Sequence, residues 1–228
     1  MLGKTHLVVG IAASMVILRP DTLPELIVGL GASSVGAVIS DIDVGTANAH
    51  KDADKICAIA VAALVAVAVI EEIFHLGIYE RLMERNNLLK ILVGAFGFIG
   101  VCAFGKEQPH RSFMHSFLAL ILLSILVRTM FPMAMPYFAL AFLSHLATDI
   151  FNFKKVKLWY PLKDGICLKM FHAKGVANRT MFLVAGAIAV VEVTWLLVQI
   201  LHPHIFSRIF GCLWGTDLLL FEAKSFIL

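Results

Sequence analysis

The chain has 228 residues, 60% hydrophobic and 15% charged, with a mean hydropathy of +0.88; a soluble domain averages roughly 45–50% apolar and about 25% charged. The apolar excess runs along the whole chain, which leaves no polar stretch long enough for a separate soluble domain. The net charge is only +3 and the basic residues are scattered, so no basic stripe exists for nucleic acid.

Long apolar runs without alternation select helices, because lipid offers the backbone no hydrogen-bond partners and a helix satisfies its own. A full span needs about 20 residues. The first run, Leu7–Leu18, is short and ends at Arg19-Pro20, where proline removes an amide donor. Its opening, MLGKTHLVVGIAAS, reads as an uncleaved first segment rather than a signal peptide, since many spans follow. Leu23–Ile39 comes next and stops at Ser40-Asp41. Ile56–Gly77 is the clearest span, with Glu71, Glu72 and His75 near its end. Leu88–Gly105, Ser112–Met130 and Pro136–Ile150 follow. Beyond a polar stretch, Met181–Leu201 is a full span carrying Glu192, and Ile205–Phe221 is a weaker candidate. The expected fold is all-α: a polytopic transmembrane helical bundle of six to eight helical segments. It forms a single membrane-embedded domain over 1–228, with a polar, basic segment at about 151–179.

An even number of segments puts both termini on one side. That side receives thirteen of the lysines and arginines and the other side six, an asymmetry that places the first side in the cytoplasm. No internal repeat of the transporter kind is visible. The four cysteines, Cys57, Cys102, Cys167 and Cys212, lie far apart without a CxxC pair; they read as buried thiols rather than a zinc knuckle or redox motif.

Four places carry histidines or aspartates, and each falls at a helix end on the same membrane face. Thr5-His6 opens the first segment, where a lone histidine equally suits a cap. Asp41 and Asp43 close the second; two apart, they share a face only in an extended stretch, where both can offer oxygen ligands to a cation. His110-Arg111-Ser112-Phe113-Met114-His115-Ser116 opens the fifth. On a continuous helix His110 and His115 diverge by about 140°, so they converge only if His110 lies in a non-helical lead-in or if each serves a different metal. Arg111 and His115, four apart, would share a face, and His115 with Ser116 would sit inside an apolar helix, where polar groups are costly. His145 and Asp149 end the sixth segment, four apart on one face, able to chelate one metal or let the aspartate orient the imidazole. The structural alternative for each is a solvated loop or an interhelical hydrogen bond.

Together, His6, Asp41, Asp43, His110, His115, His145 and Asp149 offer the mixed nitrogen and oxygen ligands of a divalent metal: zinc first, with manganese or iron as alternatives. Seven ligands exceed the three usual for one catalytic zinc, so one to three ions are expected. Arg111, Asp43 and Ser116 are the candidates for direct catalytic roles. His50 and His172 are spare ligand candidates, and His202 and His204 flank Pro203 at an interface. Glu71, Glu72 and His75 fall on the opposite face, Glu192 pairs within the bundle or serves the site, and no HExxH signature exists.

THLVVG at 5–10, SDID at 40–43, HRSFMHS at 110–116, SHLATDIFNFKKVKLWYP at 144–161 and KGVANR at 174–179 together resemble the YdjM-like family of inner-membrane, metal-dependent hydrolases. The resemblance spans most of the chain, with the pieces in the family's order. It implies a helical protein of the bacterial inner (cytoplasmic) membrane, with a hydrolase site at its polar helix ends that uses His6, Asp41, Asp43, His110, Arg111, His115, His145 and Asp149. Two features depart from the family. Ser40 and Val44-Gly45 stand where proline is frequent around the aspartate pair, and the stretch after Asp149 is more basic. The HxxxD spacing also looks like that of the helical zinc-dependent phospholipase C class, an analogy of chemistry and not of fold. The expected function is hydrolysis of a phosphoester in a membrane lipid or lipid-linked substrate by metal-activated water. Arg111 would engage a phosphate oxygen, and Lys154, Lys155 and Lys157 would meet headgroups at about 1 kcal/mol each. No nucleic-acid partner is expected. A transporter using the same polar cluster and a non-catalytic membrane scaffold are the rival readings.

Overall fold

A computed structural model describes residues 2–43, 62, 65–77, 80, 88–170, 172 and 175–202. The main elements in chain order are α1 (Gly3–Leu18), α2 (Leu23–Val38), a 3-10 turn (Ile39–Asp43), α3 (Leu88–Lys106), a second 3-10 turn (Phe113–His115), α4 (Phe117–Met130), α5 (Met135–Ile150) and α6 (Val176–Leu201). Residues 65–74 are also helical. The protein is an all-α helical bundle, as its composition requires. Of the expected segments, Ile205–Phe221 and part of Ile56–Gly77 lie outside the described residues.

Local chemistry sets the boundaries. The Thr22 side chain accepts a hydrogen bond from the Glu25 amide, with Pro24 in the first turn of α2. Ser116 does the same for α4 through the Ala119 amide, at 3.2 Å. α1 ends where Arg19 turns left-handed (φ 45) ahead of Pro20.

α2 packs along α5; α1 lies against α2, α5 and α6; α3 leans on α4. The centre holds Phe138, Phe142, Met114, Leu123 and Leu146, all almost fully buried. Large apolar side chains also cover the outside: Phe96 and Ile99 on α3, Ile121 and Ile125 on α4, Val190 and Val191 on α6. Only 17% of the most apolar window of α6 is buried inside the protein; one side packs on α1 and the rest is an apolar outer surface suited to lipid. With 26 residues it reaches about 39 Å at 1.5 Å per residue, more than the roughly 30 Å hydrocarbon core.

Among the described residues, Leu23–Asp43 and Val176–Leu201 are long and apolar enough to cross alone, while Gly3–Leu18 and Phe117–Met130 are apolar but shorter. A short helix leaves its polar end below the headgroup level. Non-helical backbone is tolerated there only where protein surrounds it, and both 3-10 turns are largely buried.

Apolar helices in lipid associate through close packing rather than through water exclusion. Two glycines permit it. A Cβ on Gly10 would meet Ala37, and one on Gly36 would collide with the Phe138 carbonyl, so α1, α2 and α5 approach backbone to backbone.

Three expectations about local structure are corrected. α1 starts at Gly3, so His6 lies inside its first turns instead of ahead of them. The aspartate pair is not extended: α2 tightens into a 3-10 turn through Asp43. Ser112–Met130 is not one helix, because Arg111 adopts φ 66 and Ser116 is extended (φ −124, ψ 159). His115 and Ser116 therefore precede α4, and the helical spacing between Arg111 and His115 does not exist.

Candidate metal centre

Antiparallel packing brings the start of α1, the end of α2, the lead-in to α4 and the end of α5 to one end of the bundle. Leu2 at the mouth of α1 donates its amide to Asn178 Oδ1 at the start of α6, at 3.3 Å. The seven ligand candidates gather there in three overlapping groups: His6, Asp41 and His145; His115, His145 and Asp149; Asp43, His110 and His115. Within each group the ligand atoms lie within 4.8 Å of one another.

Hydrogen bonds at the outer nitrogens define which imidazole atom faces inward. His145 Nδ1 is 2.7 Å from the Ala37 carbonyl, which can only accept, so Nδ1 carries the proton and Nε2 presents its lone pair. Thr148 donates its hydroxyl to the His145 carbonyl at 2.9 Å, so its oxygen accepts from His6 Nδ1, also at 2.9 Å. His6 Nε2 is thereby a lone pair as well. The two rings stack, with centroids 3.8 Å apart.

These lone pairs face carboxylates. His6 Nε2 lies 3.4 Å from Asp149 Oδ1, and His145 Nε2 lies 3.5 Å from Asp41 Oδ1 and 4.0 Å from Asp149 Oδ2. His115 Nε2 is 3.5 Å from Asp41 Oδ1 and 3.4 Å from Asp149 Oδ2. Hydrogen bonds between nitrogen and oxygen run about 2.7–3.2 Å; ligand atoms on a tetrahedral ion with bonds of about 2.0–2.1 Å stand about 3.3 Å apart. The observed separations match the second pattern. His6 Nε2, His145 Nε2 and both nitrogens of His115 are buried with no hydrogen-bond partner. Buried polar atoms are normally satisfied, so their shared orphan state fits a cation held among them.

His115 lies ahead of α4. Burial pushes its pKa down, but the close carboxylates of Asp149, Asp41 and Asp43 outweigh that and hold it well above the ordinary histidine value. Three carboxylates within 3.5 Å of one imidazole supply the negative charge that a cation needs.

The third group differs. Asp43 Oδ1 accepts from His110 Nδ1 at 2.7 Å, its Oδ2 accepts from the Arg111 amide at 3.2 Å, and His115 Nδ1 is 3.4 Å away. Asp43 is engaged by donors, the pattern of a carboxylate that orients metal-ligating imidazoles. It can serve a second cation only if His110 gives up its Nδ1 proton.

Arg111 links the parts. Its guanidinium donates to the Lys154 carbonyl at 2.8 Å and reaches Asp149 Oδ2 at 3.4 Å, while its buried Nε has no partner. A left-handed backbone at a bulky residue costs about 1–3 kcal/mol. Here it lets the amide bind Asp43 while the carbonyl accepts from Lys157 at 3.0 Å. Ser116 is occupied elsewhere. It donates to the Phe113 carbonyl at 2.6 Å and accepts from Ala119, the geometry of a helix cap and not of a nucleophile facing the cage.

Two contributors escaped the sequence reading. Thr148 sets the His6 tautomer, and Asn152 donates to Asp149 Oδ1 at 2.7 Å. Both are buried; a polar residue at the end of an apolar helix was their only signal. Replacing Thr148 by valine, or Asn152 by leucine, is expected to weaken metal affinity about 10–100-fold with the fold retained. Isothermal titration of metal into the chelated protein checks this.

Other candidates stay outside. Glu192 Oε1 pairs with Arg19 Nε at 3.8 Å, and His172 stacks on Phe153. Glu71 is buried in the 65–74 helix with Oε2 unpartnered, apart from the cage groups. His202 caps α6. His50 and His204 lie outside the described residues, as do Cys57 and Cys212; Cys102 and Cys167 form no disulfide.

Comparison with curated proteins and with solved structures gives no match. The model of the YdjM inner membrane protein family matches residues 1–216. That match covers all four motifs of the cage, and the chain therefore belongs to this family of inner membrane proteins.

Proposed function

We propose that the protein is a metal-dependent hydrolase that cleaves a phosphoester of a membrane lipid or lipid-linked substrate. One observation carries the reading: three buried imidazoles present unpartnered Nε2 atoms to two carboxylates at coordination spacing, 3.4–4.0 Å. His6, Asp41, His115, His145 and Asp149 would hold the ion. Their mixed nitrogen and oxygen set suits zinc, with manganese or iron(II) as alternatives. A divalent ion supplies Lewis acidity there, polarising a phosphoryl oxygen and acidifying a water.

The chain's own groups divide the remaining work. Asp43 orients the ring of His110. His110 donates Nδ1–H to Asp43, which leaves Nε2 as the basic atom on a side chain that is 30% exposed; this is the atom placed to take or give a proton. The Arg111 guanidinium, which makes one hydrogen bond and lies 3.4 Å from Asp149, has donors to spare for an anionic oxygen of the substrate. Ser116, engaged as the α4 cap, is given no role in this scheme. The thirteen-to-six charge asymmetry supports a site facing the cytoplasm.

A transporter would favour ligands near the bilayer midplane with access from both sides. The cage at helix ends on one face favours the enzyme. A purely structural cluster would pair its buried nitrogens instead of leaving four orphaned.

Metal analysis of the purified protein, followed by assay on a panel of lipid phosphomonoesters, phosphodiesters and polyprenyl phosphates with and without chelator, tests the proposal. Bound divalent metal and chelator-sensitive phosphate release are the expected results. Absence of both would sink it. Metal at a hundred times its dissociation constant is also expected to stabilise the chelated protein by about 2.7 kcal/mol, read as a rise in Tm.

A further inference from the structure

We propose that the 151–170 segment is a membrane-surface element: Trp159 and Leu162 sit at the headgroup boundary beside α4, and Lys154, Lys155 and Lys157 take anionic lipid headgroups. The proposal stands whether or not the cage is catalytic.

The segment leaves the end of α5 and is tied to the lead-in of α4. Phe117 donates its amide to the Leu158 carbonyl at 2.9 Å, and Lys157 donates to the Arg111 carbonyl at 3.0 Å. Two mutual backbone bonds between Val156 and Ile166, each 2.9 Å, close it on itself. These ties hold it level with the helix ends, where the hydrocarbon core gives way to headgroups.

Its side chains sort by direction. Asn152, Val156 and Leu158 are buried and pin the segment to the bundle. Trp159 (60% exposed), Leu162 (64%) and Met170 (56%) turn outward. In water such a set would be a costly apolar patch. The Trp159 ring packs on Phe117 at 5.1 Å. Phe117 begins the helix whose Leu118, Ile121, Leu122 and Ile125 are exposed, so the apolar outer surface of α4 continues onto Trp159. Tryptophan favours the membrane interface because its ring is apolar while its N–H needs a wet partner.

Charge completes the match. Residues 151–170 carry Lys154, Lys155, Lys157, Lys163 and Lys169 against Asp164 alone. Lysine stems lie along apolar surface while the ammonium groups reach the headgroups. Alternating basic and apolar residues at this depth fit an anionic bilayer surface better than a protein partner, which would leave the lysines to be desolvated. The Arg111 guanidinium, bound to both the Lys154 carbonyl and Asp149, joins this element to the cage.

The test uses the full chain with Trp195→Phe and Trp214→Phe, leaving Trp159 as the single tryptophan. It is reconstituted in nanodiscs of phosphatidylcholine with or without phosphatidylglycerol. Lipids brominated near the glycerol end should quench Trp159 strongly and aqueous acrylamide weakly. Spin-labelled phosphatidylglycerol should associate with the protein in preference to phosphatidylcholine. That preference should fall at least about twofold in the Lys154→Gln, Lys155→Gln, Lys157→Gln variant and in high salt, and survive Lys→Arg replacement at the same positions. Quenching by acrylamide but not by bromolipid would overturn the proposal. So would shielding from both quenchers, which would mean a protein surface covers the patch, or a lipid preference unchanged by the glutamine variant.

Discussion

Replacing His115 by glutamine is expected to strip the protein of bound metal and to lower phosphoester turnover by more than about a hundredfold. Among the described residues, His115 is the one side chain within 3.5 Å of three carboxylates. Its Nε2 lies 3.5 Å from Asp41 and 3.4 Å from Asp149, and its Nδ1 lies 3.4 Å from Asp43. Glutamine keeps the volume but offers a poor ligand, and the three aspartates lose the group that balances them. Breaking a buried ion pair from one side costs about 3–5 kcal/mol, so the variant should also melt earlier, and added metal should no longer raise its Tm. Asp149→Asn should behave alike, because Asp149 oxygens face His6, His115, His145 and Arg111. Elemental analysis beside a melting curve reads both effects. Full metal content and full turnover in both variants would reject the ligand assignments.

Gly36→Val is expected to destabilise the bundle by about 3 kcal/mol or more and to disable the site without touching a ligand. Even a single Cβ at position 36 would run into the Phe138 carbonyl. Backbone cannot rotate aside as a side chain can, so α2 and α5 must separate. Site residues ride on both partners: Asp41 and Asp43 follow α2, and His145 and Asp149 close α5. The neighbouring Ala37 carbonyl holds His145 Nδ1 at 2.7 Å, so separation also releases the bond that aims Nε2 inward. Gly100 offers the control, since a Cβ there meets nothing within 4 Å; Gly100→Ala should leave melting and metal content unchanged. A Gly36→Val protein with wild-type melting and metal content would show that the helices do not need this close approach.

How much of the site was legible follows from what periodicity reports. His145 and Asp149 were paired correctly because both lie within one helix, where four residues bring side chains to one face. The Arg111–His115 pair failed under the same rule, because a left-handed Arg111 and an extended Ser116 break the helix that the rule assumes. Both residues nonetheless reach Asp149, by a route through loop backbone that spacing cannot encode. The Asp41–Asp43 pair likewise belongs together, but in a 3-10 turn where both carboxylates reach His115 while Asp41 also faces His145 and Asp43 faces His110.

The sequence alone determined that this is an all-helical membrane protein, because an apolar chain in lipid has no other economical way to satisfy its backbone. It also singled out seven imidazoles and carboxylates at apolar helix ends, where ionisable groups are costly, and the structure gathers them at one end of the bundle. Only the tertiary structure decided the contacts among them: which ring nitrogens of His6 and His145 face inward, that Asp43 accepts from His110 and the Arg111 amide, that Ser116 caps α4, and that Thr148 and Asn152 bond to His6 and Asp149. Most of those distinctions depend on hydrogen bonds between residues 43 to 142 positions apart, set by how the helices and the loops between them pack, and no local pattern of residues carries that information.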